Sequence, residues 1–425
     1  MTTLAAARWR LSELEFEISR LQTQLDLPGP VFERASVQDH LAEYKYPIHS
    51  IPNEILSEIF LQYIPLYPAC PPLLGDGSPT KLTHICRHWR QIAHSTPSLW
   101  RAIEVFAQAV YPPVPQIEAV ETWLKRSGSL SLSILVGSRW ADALAPHMSQ
   151  LLELISLHHT RWQHCALLFP LPRWTHGQSW SRISGLFPRL ERLDIQARTT
   201  SPLGSLVGPL NAPQLRTAYL DAFQFRPQEL EESLVAQLLP WNRLTRLSLK
   251  YATPGAVDAI LHLTTNLVFC SLRVRAKSED RSREHVPAIH LPALRFFVVG
   301  EPDDDPTPDI YPVLKAVRAP ALEKLYFNAM LLWQGTGDRT ATRVVDVVQA
   351  FGCRGSLQHI CIVDTSLNAE NYRSMLPRIP TIEAFQRDDV SGPPRNTGPY
   401  EAAWGELSWD LFNLLGSNPG QEMRY

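Results

Sequence analysis

From about residue 160 onward one spacing recurs: an apolar anchor, two residues, an apolar residue, one residue, and an apolar residue again. It is carried by Trp162 (with Cys165 and Leu167), Leu190 (Leu193, Ile195), Leu215 (Ala218, Leu220), Leu244 (Leu247, Leu249) and Leu267 (Cys270, Leu272). It continues at Leu294 (Phe297, Val299), Leu322 (Leu325, Phe327), Leu357 (Ile360, Ile362) and Ile382 (Phe385). The alternation after each anchor predicts a short strand with one buried face. Successive anchors stand 23 to 35 residues apart, a period typical of repeat architectures. Pro188, Pro213, Pro292, Pro320 and Pro380 lie two residues before an anchor, where they block helix continuation and preset extended backbone. Between anchors, 227–239, 254–263 and 342–351 have helical periodicity. Strand, helix and strand at this period predict a right-handed α/β solenoid with parallel strands on one side and helices on the other. A helix near 117–127 and a strand from Leu130 to Val136 are expected to open it.

The N-terminal part follows a different rhythm. Leu11, Leu14, Ile18, Leu21 and Leu25 have 3-4-3-4 spacing, which predicts an amphipathic helix over 8–25, closed by Pro28, Gly29 and Pro30. Barely more than two heptads are present, so the helix is expected to pack on its own chain or fray, the alternative being a dimerisation or partner helix. A second helix is expected after Ile51, with Pro52 suited to its first position and Glu54 complementing its N-terminal dipole. Its apolar residues Ile55, Leu56, Ile59, Phe60 and Tyr63 cover about half the circumference, enough for a core on one side and a partner on the other. A Pro- and Gly-rich loop occupies 65–79. A third helix is expected from Thr80, with Leu82, Ile85, Cys86, Trp89, Ile92 and Ala93 on one face and an end at Pro97. Leu99 and Trp100 then fold back onto the pair.

Composition narrows the function classes. The charged fraction is 19% and the net charge −2, so no global field favours nucleic acid or an anionic membrane. No apolar run approaches the length of a membrane span, and the N-terminus lacks a signal peptide's apolar region. The six cysteines include no C-x-x-C pair, which points to reduced, buried thiols in the cytoplasm or nucleus. No phosphate loop, nucleophile elbow or H-E-x-x-H motif occurs. His158, His159, His164 and Cys165 match no common zinc spacing, and the acidic stretch 301–309 lacks the glycine and final glutamate of a calcium loop. The expectation is a non-catalytic protein with no metal or other cofactor. The charged stretches 273–285 and 301–309 are read as solvated loops.

The segment Ile51-Pro52-Asn53-Glu54-Ile55-Leu56, with Ile59-Phe60, Ile85-Cys86-Arg87-His88-Trp89-Arg90 and Leu99-Trp100, resembles the F-box family in order, spacing and residue type. It departs from that pattern in having Ile51 where leucine is usual and in its longer loop. The resemblance implies binding to a Skp-type linker protein, and through it to a cullin. Ile51, Pro52, Ile55 and Ile59 would face the linker; Leu56, Phe60, Leu82, Ile85, Trp89, Leu99 and Trp100 would form the module's core. The later repeats resemble degenerate leucine-rich repeats without their usual Asn or Cys, and the whole is similar to fungal F-box proteins. The expected organisation is an N-terminal helix in 1–30, an F-box in 46–105, a leucine-rich-repeat-like α/β solenoid in 117–386 and a largely disordered tail in 387–425. The implied function is that of a substrate receptor of a Skp–cullin–F-box ubiquitin ligase, acting on an unknown target protein. The alternative is a scaffold that binds the linker without a cullin.

Overall fold

A computed structural model describes residues 4–21, 37–39, 50–107, 113–138, 145–169, 183–197, 207–222, 237–274, 286–300, 310–332, 339–353, 355–363 and 367–385. The tail 387–425, the acidic stretch 301–309, most of 273–285 and most of the expected helix 227–239 lie outside these. The chain forms two compact units, Met1–Ile59 and Phe60–Tyr425. The division therefore falls inside the expected F-box segment rather than after it.

In the first unit, helix α1 (Leu4–Leu21) buries Leu14 and Ile18 of the expected seam. Helix α2 (Asn53–Tyr63) begins in this unit and ends in the second.

The second unit is a mixed α/β body around one parallel sheet. Its helices are α3 (Pro79–Leu82), α4 (Arg87–His94), α5 (Pro113–Arg126), α6 (Ala145–Ser156), α7 (Pro254–Leu263), α8 (Tyr311–Ala316), α9 (Arg339–Ala350) and α10 (Ala369–Met375). Its strands are β1 (Ala102–Ala107), β2 (Leu132–Ser138), β3 (Trp162–Phe169), β4 (Ile183–Leu186), β5 (Arg192–Ala197), β6 (Val207–Asn211), β7 (Thr217–Ala222) and β8 (Arg246–Ala252). They continue as β9 (Phe269–Val274), β10 (Ile289–His290), β11 (Phe296–Gly300), β12 (Val317–Arg318), β13 (Lys324–Asn328), β14 (His359–Val363) and β15 (Thr381–Phe385). Eleven strands form the main sheet in the order β1-β2-β3-β5-β7-β8-β9-β11-β13-β14-β15, while β4–β6 and β10–β12 make two small ladders. Each main strand lies beside the next in sequence, and every pairing is parallel.

The anchor pattern fixes this register. Ile103, Ile134, Cys165, Leu193, Ala218, Leu247, Cys270, Phe297, Leu325, Ile360 and Ile382 face one another strand by strand. All are buried, as is the row two residues on, from Val105 to Ile362. A slip of one residue would turn both rows to the opposite face. Seven anchors, Leu190, Leu215, Leu244, Leu267, Leu294, Leu322 and Leu357, are buried two residues before their strands, and Trp162 opens β3. Ile382 departs from the anchor role expected of it, lying inside β15 in register with Ile360. From Leu190 to Leu357, the residue after each anchor donates its N–H to the carbonyl of the equivalent residue one strand earlier, as in Arg216 to Glu191 at 2.9 Å and Val268 to Thr245 at 2.8 Å.

The prolines do something more specific than hold extended backbone. Leu190, Leu215, Leu294 and Leu322 donate their N–H to Phe187, Ala212, Leu291 and Ala319. Pro188, Pro213, Pro292 and Pro320 thus sit at the second position of a tight turn, where their fixed φ is favourable. Before β15 the equivalent turn is Leu376 to Ile379, so Pro377 takes this place rather than Pro380. Helices close the other side of the core. Val257, Ile260 and Leu261 of α7 and Val344 and Val347 of α9 are buried, and Phe351 meets Phe297 at 5.9 Å between ring centroids.

One feature differs from expectation at the start of the sheet. The first strand is β1, directly after Trp100, rather than the strand near Leu130. Trp100 joins the helical segment to the sheet: its Nε1 donates to Ala93 O at 2.8 Å, and its ring packs edge-on against Trp123 of α5 at 5.4 Å. The Pro- and Gly-rich stretch after α2 is the loop expected, and it is packed: 67–70 lies across the outer face of β1–β3. Cys70 packs with Ala102, Leu135 and Ala166, and Ser133 Oγ donates to Pro68 O at 2.6 Å. Tyr67 donates to Gln163 Oε1 at 2.9 Å and has the Arg101 guanidinium 3.7 Å from its ring centre. Burial pushes the Cys70 thiol up to about 12 and the Tyr67 phenol above its ordinary range. All six cysteines are free, and all except the half-buried Cys86 are buried.

Two outcomes follow for stability. Phe297→Ala empties a fully covered position in the register row and should cost about 3–5 kcal/mol in denaturant unfolding, whereas Leu186→Ala at an exposed site should stay within about 0.5 kcal/mol. His164, beneath Tyr67, has its pKa lowered from 6.5 to about 4, first by burial. The folded state therefore resists protonation that the unfolded state accepts. Its contribution is fully present above pH 6.5 and is lost as pH falls towards about 4, by up to roughly 3 kcal/mol. Melting curves across that window should be flatter for His164→Gln than for the native protein.

Candidate functional site

Helix α2 has two unlike faces. Its first turn is closed by Leu56 N–H donating to Pro52 O at 3.1 Å, and Ser57 Oγ donates back to Asn53 O at 2.9 Å. Leu56 and Phe60, four residues apart, are 0% and 1% exposed. Ile55 and Ile59, also one turn apart, are 52% and 46% exposed, and Tyr63 continues their line. Ile51 is half-buried and Pro52 exposed. Of the four residues expected to face a partner, Pro52, Ile55 and Ile59 are thus exposed and Ile51 is half-buried. β-branched side chains held out to water on an ordered helix form an apolar ridge that gains from being covered.

In the second unit, the end of this helix and the segment after it form a compact hairpin. Phe60 packs on Trp89 at 4.8 Å, and Tyr63 OH accepts from Gly77 N–H at 3.0 Å. Ser78 caps α3, accepting from Thr80 N–H at 3.1 Å. Of the residues expected to form the module's core, Leu82, Leu99 and Trp100 are buried and Trp89 is half-buried. Ile85 departs from that expectation, being 56% exposed. The third helix does not run unbroken from Thr80. Cys86 is extended (φ −156°, ψ 171°) and caps α4, its Sγ accepting from Trp89 N–H at 3.4 Å. Ile85 therefore lies in the turn between α3 and α4, off the buried face, while Arg90 Nε donates to Thr83 O at 2.7 Å and staples that turn.

On the outer face of the sheet beyond the 67–70 crossing, Phe269 and Val298 form a buried cluster packed by Phe296 and Tyr326. Across β8, β9, β11 and β13 the register aligns Arg246, Phe269, Phe296 and Lys324 in one row, and Ser248, Ser271, Val298 and Tyr326 in the next. Lys250, Arg273 and Gly300 form a third. Phe269 and Phe296 stack at 6.2 Å, with Arg246 5.7 Å from the ring centre of Phe269 and Lys324 5.5 Å from that of Phe296. On the flanks, Asp194 is held by Arg192 at 2.9 Å, and Glu383 stands 3.6 Å from His359. The anchors pointed to the core side of each strand, so sequence reading passed over this face.

The four-residue His/Cys cluster is dispersed. His159 Nδ1 bonds with Ser156 O at 2.9 Å, His158 faces Arg161 at 3.5 Å, His164 lies against Tyr67, and Cys165 belongs to the core row. Among the described residues no group of three His, Cys, Asp or Glu side chains is placed to hold a metal ion, and no helix is long and apolar enough to cross a membrane. Comparison of the chain with protein-family models and with curated proteins returns no match.

The two faces of α2 predict opposite responses to the same substitution. Ile55→Asp and Ile59→Asp replace exposed side chains and should shift stability by no more than about 0.5 kcal/mol each. Leu56→Asp puts a charge in a fully covered site and should cost about 3 kcal/mol or more. Thermal melts followed by circular dichroism separate the two classes.

Proposed function

We propose that this protein is an F-box substrate receptor of a Skp–cullin–F-box ubiquitin ligase in the cytoplasm or nucleus. The observation that carries this reading is the ridge of Ile55 and Ile59, exposed on a helix whose other face, Leu56 and Phe60, is buried. A helix with that division suits docking into an apolar groove of a linker protein. Ile51 and Pro52 extend the ridge at its N-terminal end. The sheet is read as a degenerate leucine-rich-repeat array, supported by strand spacing, parallel pairing in chain order and the buried register rows. Such an array would hold a target protein.

The receptor needs no chemistry of its own. Docking at α2 and retention of a target on the repeats raise the target's effective concentration near a charged ubiquitin-conjugating enzyme.

The test is capture of the Skp-type linker and the cullin by the full-length chain, beside the Ile55→Asp, Ile59→Asp double variant. Native protein should retain both partners, and the folded variant should lose at least 100-fold in linker affinity, since two carboxylates would be buried against apolar groups. Equal capture by both proteins would sink the docking assignment. Capture of linker without cullin would replace the receptor with a scaffold.

A further inference from the structure

The main sheet stops at a strand that is equipped to pair again. β15 ends the strand order, and among the described residues only β14 pairs with it. An edge of this kind leaves backbone N–H and C=O groups free to take another strand. The packing loosens at the same place. The second inward row, buried from Val105 to Ile362, is only half-buried at Ala384 of β15. Met375 of α10, the helix packed on β15, is 44% exposed. On the opposite face of β15, Glu383 Oε1 stands 3.6 Å from His359 Nε2, whereas Glu383 Oε2 is buried without a hydrogen-bond partner among the described residues. A buried acceptor left in that state is costly and calls for a donor.

The sequence beyond β15 contains the spacing that made each earlier strand. Trp404, Leu407 and Trp409 repeat the step of an anchor followed three and five residues later by apolar residues. Leu407 comes 25 residues after Ile382, within the 22 to 35 that separate successive members of the first inward row. Tryptophan already fills the anchor's place at Trp100 before β1 and at Trp162 in β3, and both are buried. In β15 that place belongs to Ile379, whose N–H donates to Leu376 O as those of other anchors do in their turns. Residues 386–405 make a longer connection than 364–380, which joins β14 to β15, so a parallel return is within reach.

We propose that residues 404–410 dock on the free edge of β15 as a further parallel strand that continues the array. Leu407 then lies beside Ile382, and Trp409 beside Ala384, where the large indole fills the space left by the small alanine. Ser408 falls on the outer face beside Glu383, and its hydroxyl donates to the unpartnered Oε2. Glu406, Ser408 and Asp410 alternate with the apolar pair, as a strand with one buried face requires. Two copies of β15 paired antiparallel about its middle would instead set Glu383 against Glu383, like charges directly opposite. The docked segment closes an edge open to self-association and caps the array. This inference stands apart from the reading of α2.

The experiment uses the full-length chain with Cys86→Ser, since the other five native thiols are buried. Thr381→Cys with Glu406→Cys joins neighbours in the proposed register, and mild oxidation should bond them within one chain in most molecules. Thr381→Cys with Asp410→Cys places the two thiols four residues out of register, roughly 14 Å apart, and should give no bond. Hydrogen exchange reads the same contact without new cysteines. Leu407→Asp with Trp409→Asp should speed exchange of the outward amides of β15 at least tenfold and leave β8 and β9 unchanged. Unaltered exchange at β15, equal bonding of the two cysteine pairs, or a bond formed only between chains would overturn the proposal.

Discussion

Burial of the two apolar rows beneath the sheet is the interaction on which the rest of Phe60–Tyr425 depends. From Ile103 to Ile382 the first row runs through eleven strands without a break in register. No strand could keep its place alone, since each covers its neighbour and is covered by the next. The tight turns at Pro188, Pro213, Pro292 and Pro320 set where a strand may begin, and the buried anchor after each turn fixes which face goes inward. Sequence therefore enters the fold through a few positions per unit, while the segments between are free to vary in length and content.

That economy explains what was legible in the sequence. The anchors were visible because period-2 alternation at near-constant spacing has few other causes, and α7 has the bounds its periodicity indicates. β1 was not visible, because Ala102–Ala107 follows Trp100 with no turn signal between them. Nor was the position of Ile85, since helical periodicity continues through Cys86 while the backbone stops to make a cap. The 67–70 crossing was hidden for a related reason. Prolines announce a break in regular structure but not whether the broken segment packs, and only the contacts of Tyr67 and Cys70 reveal it.

The ridge on α2 and the serines of the outer face also differ in how they could be found. Ile55 and Ile59 stood out because a helix apolar around half its circumference has more apolar surface than one core requires. Ser248 and Ser271 did not, because serine in a strand carries no signal until its lack of a partner is known. The ridge belongs to a single helix, whereas the serine pair is assembled from strands distant in sequence and exists only when their register is correct.

The strictly sequential strand order carries an evolutionary consequence. A strand that touches only its predecessor and successor can be duplicated or deleted as a unit, provided the copy keeps its turn, anchor and two inward residues. Such a chain can lengthen, shorten or recombine its units without redesigning the core. Its outer face can meanwhile diverge strand by strand, so a lineage could acquire new specificities by shuffling units while the helical segment that precedes them stays as it is.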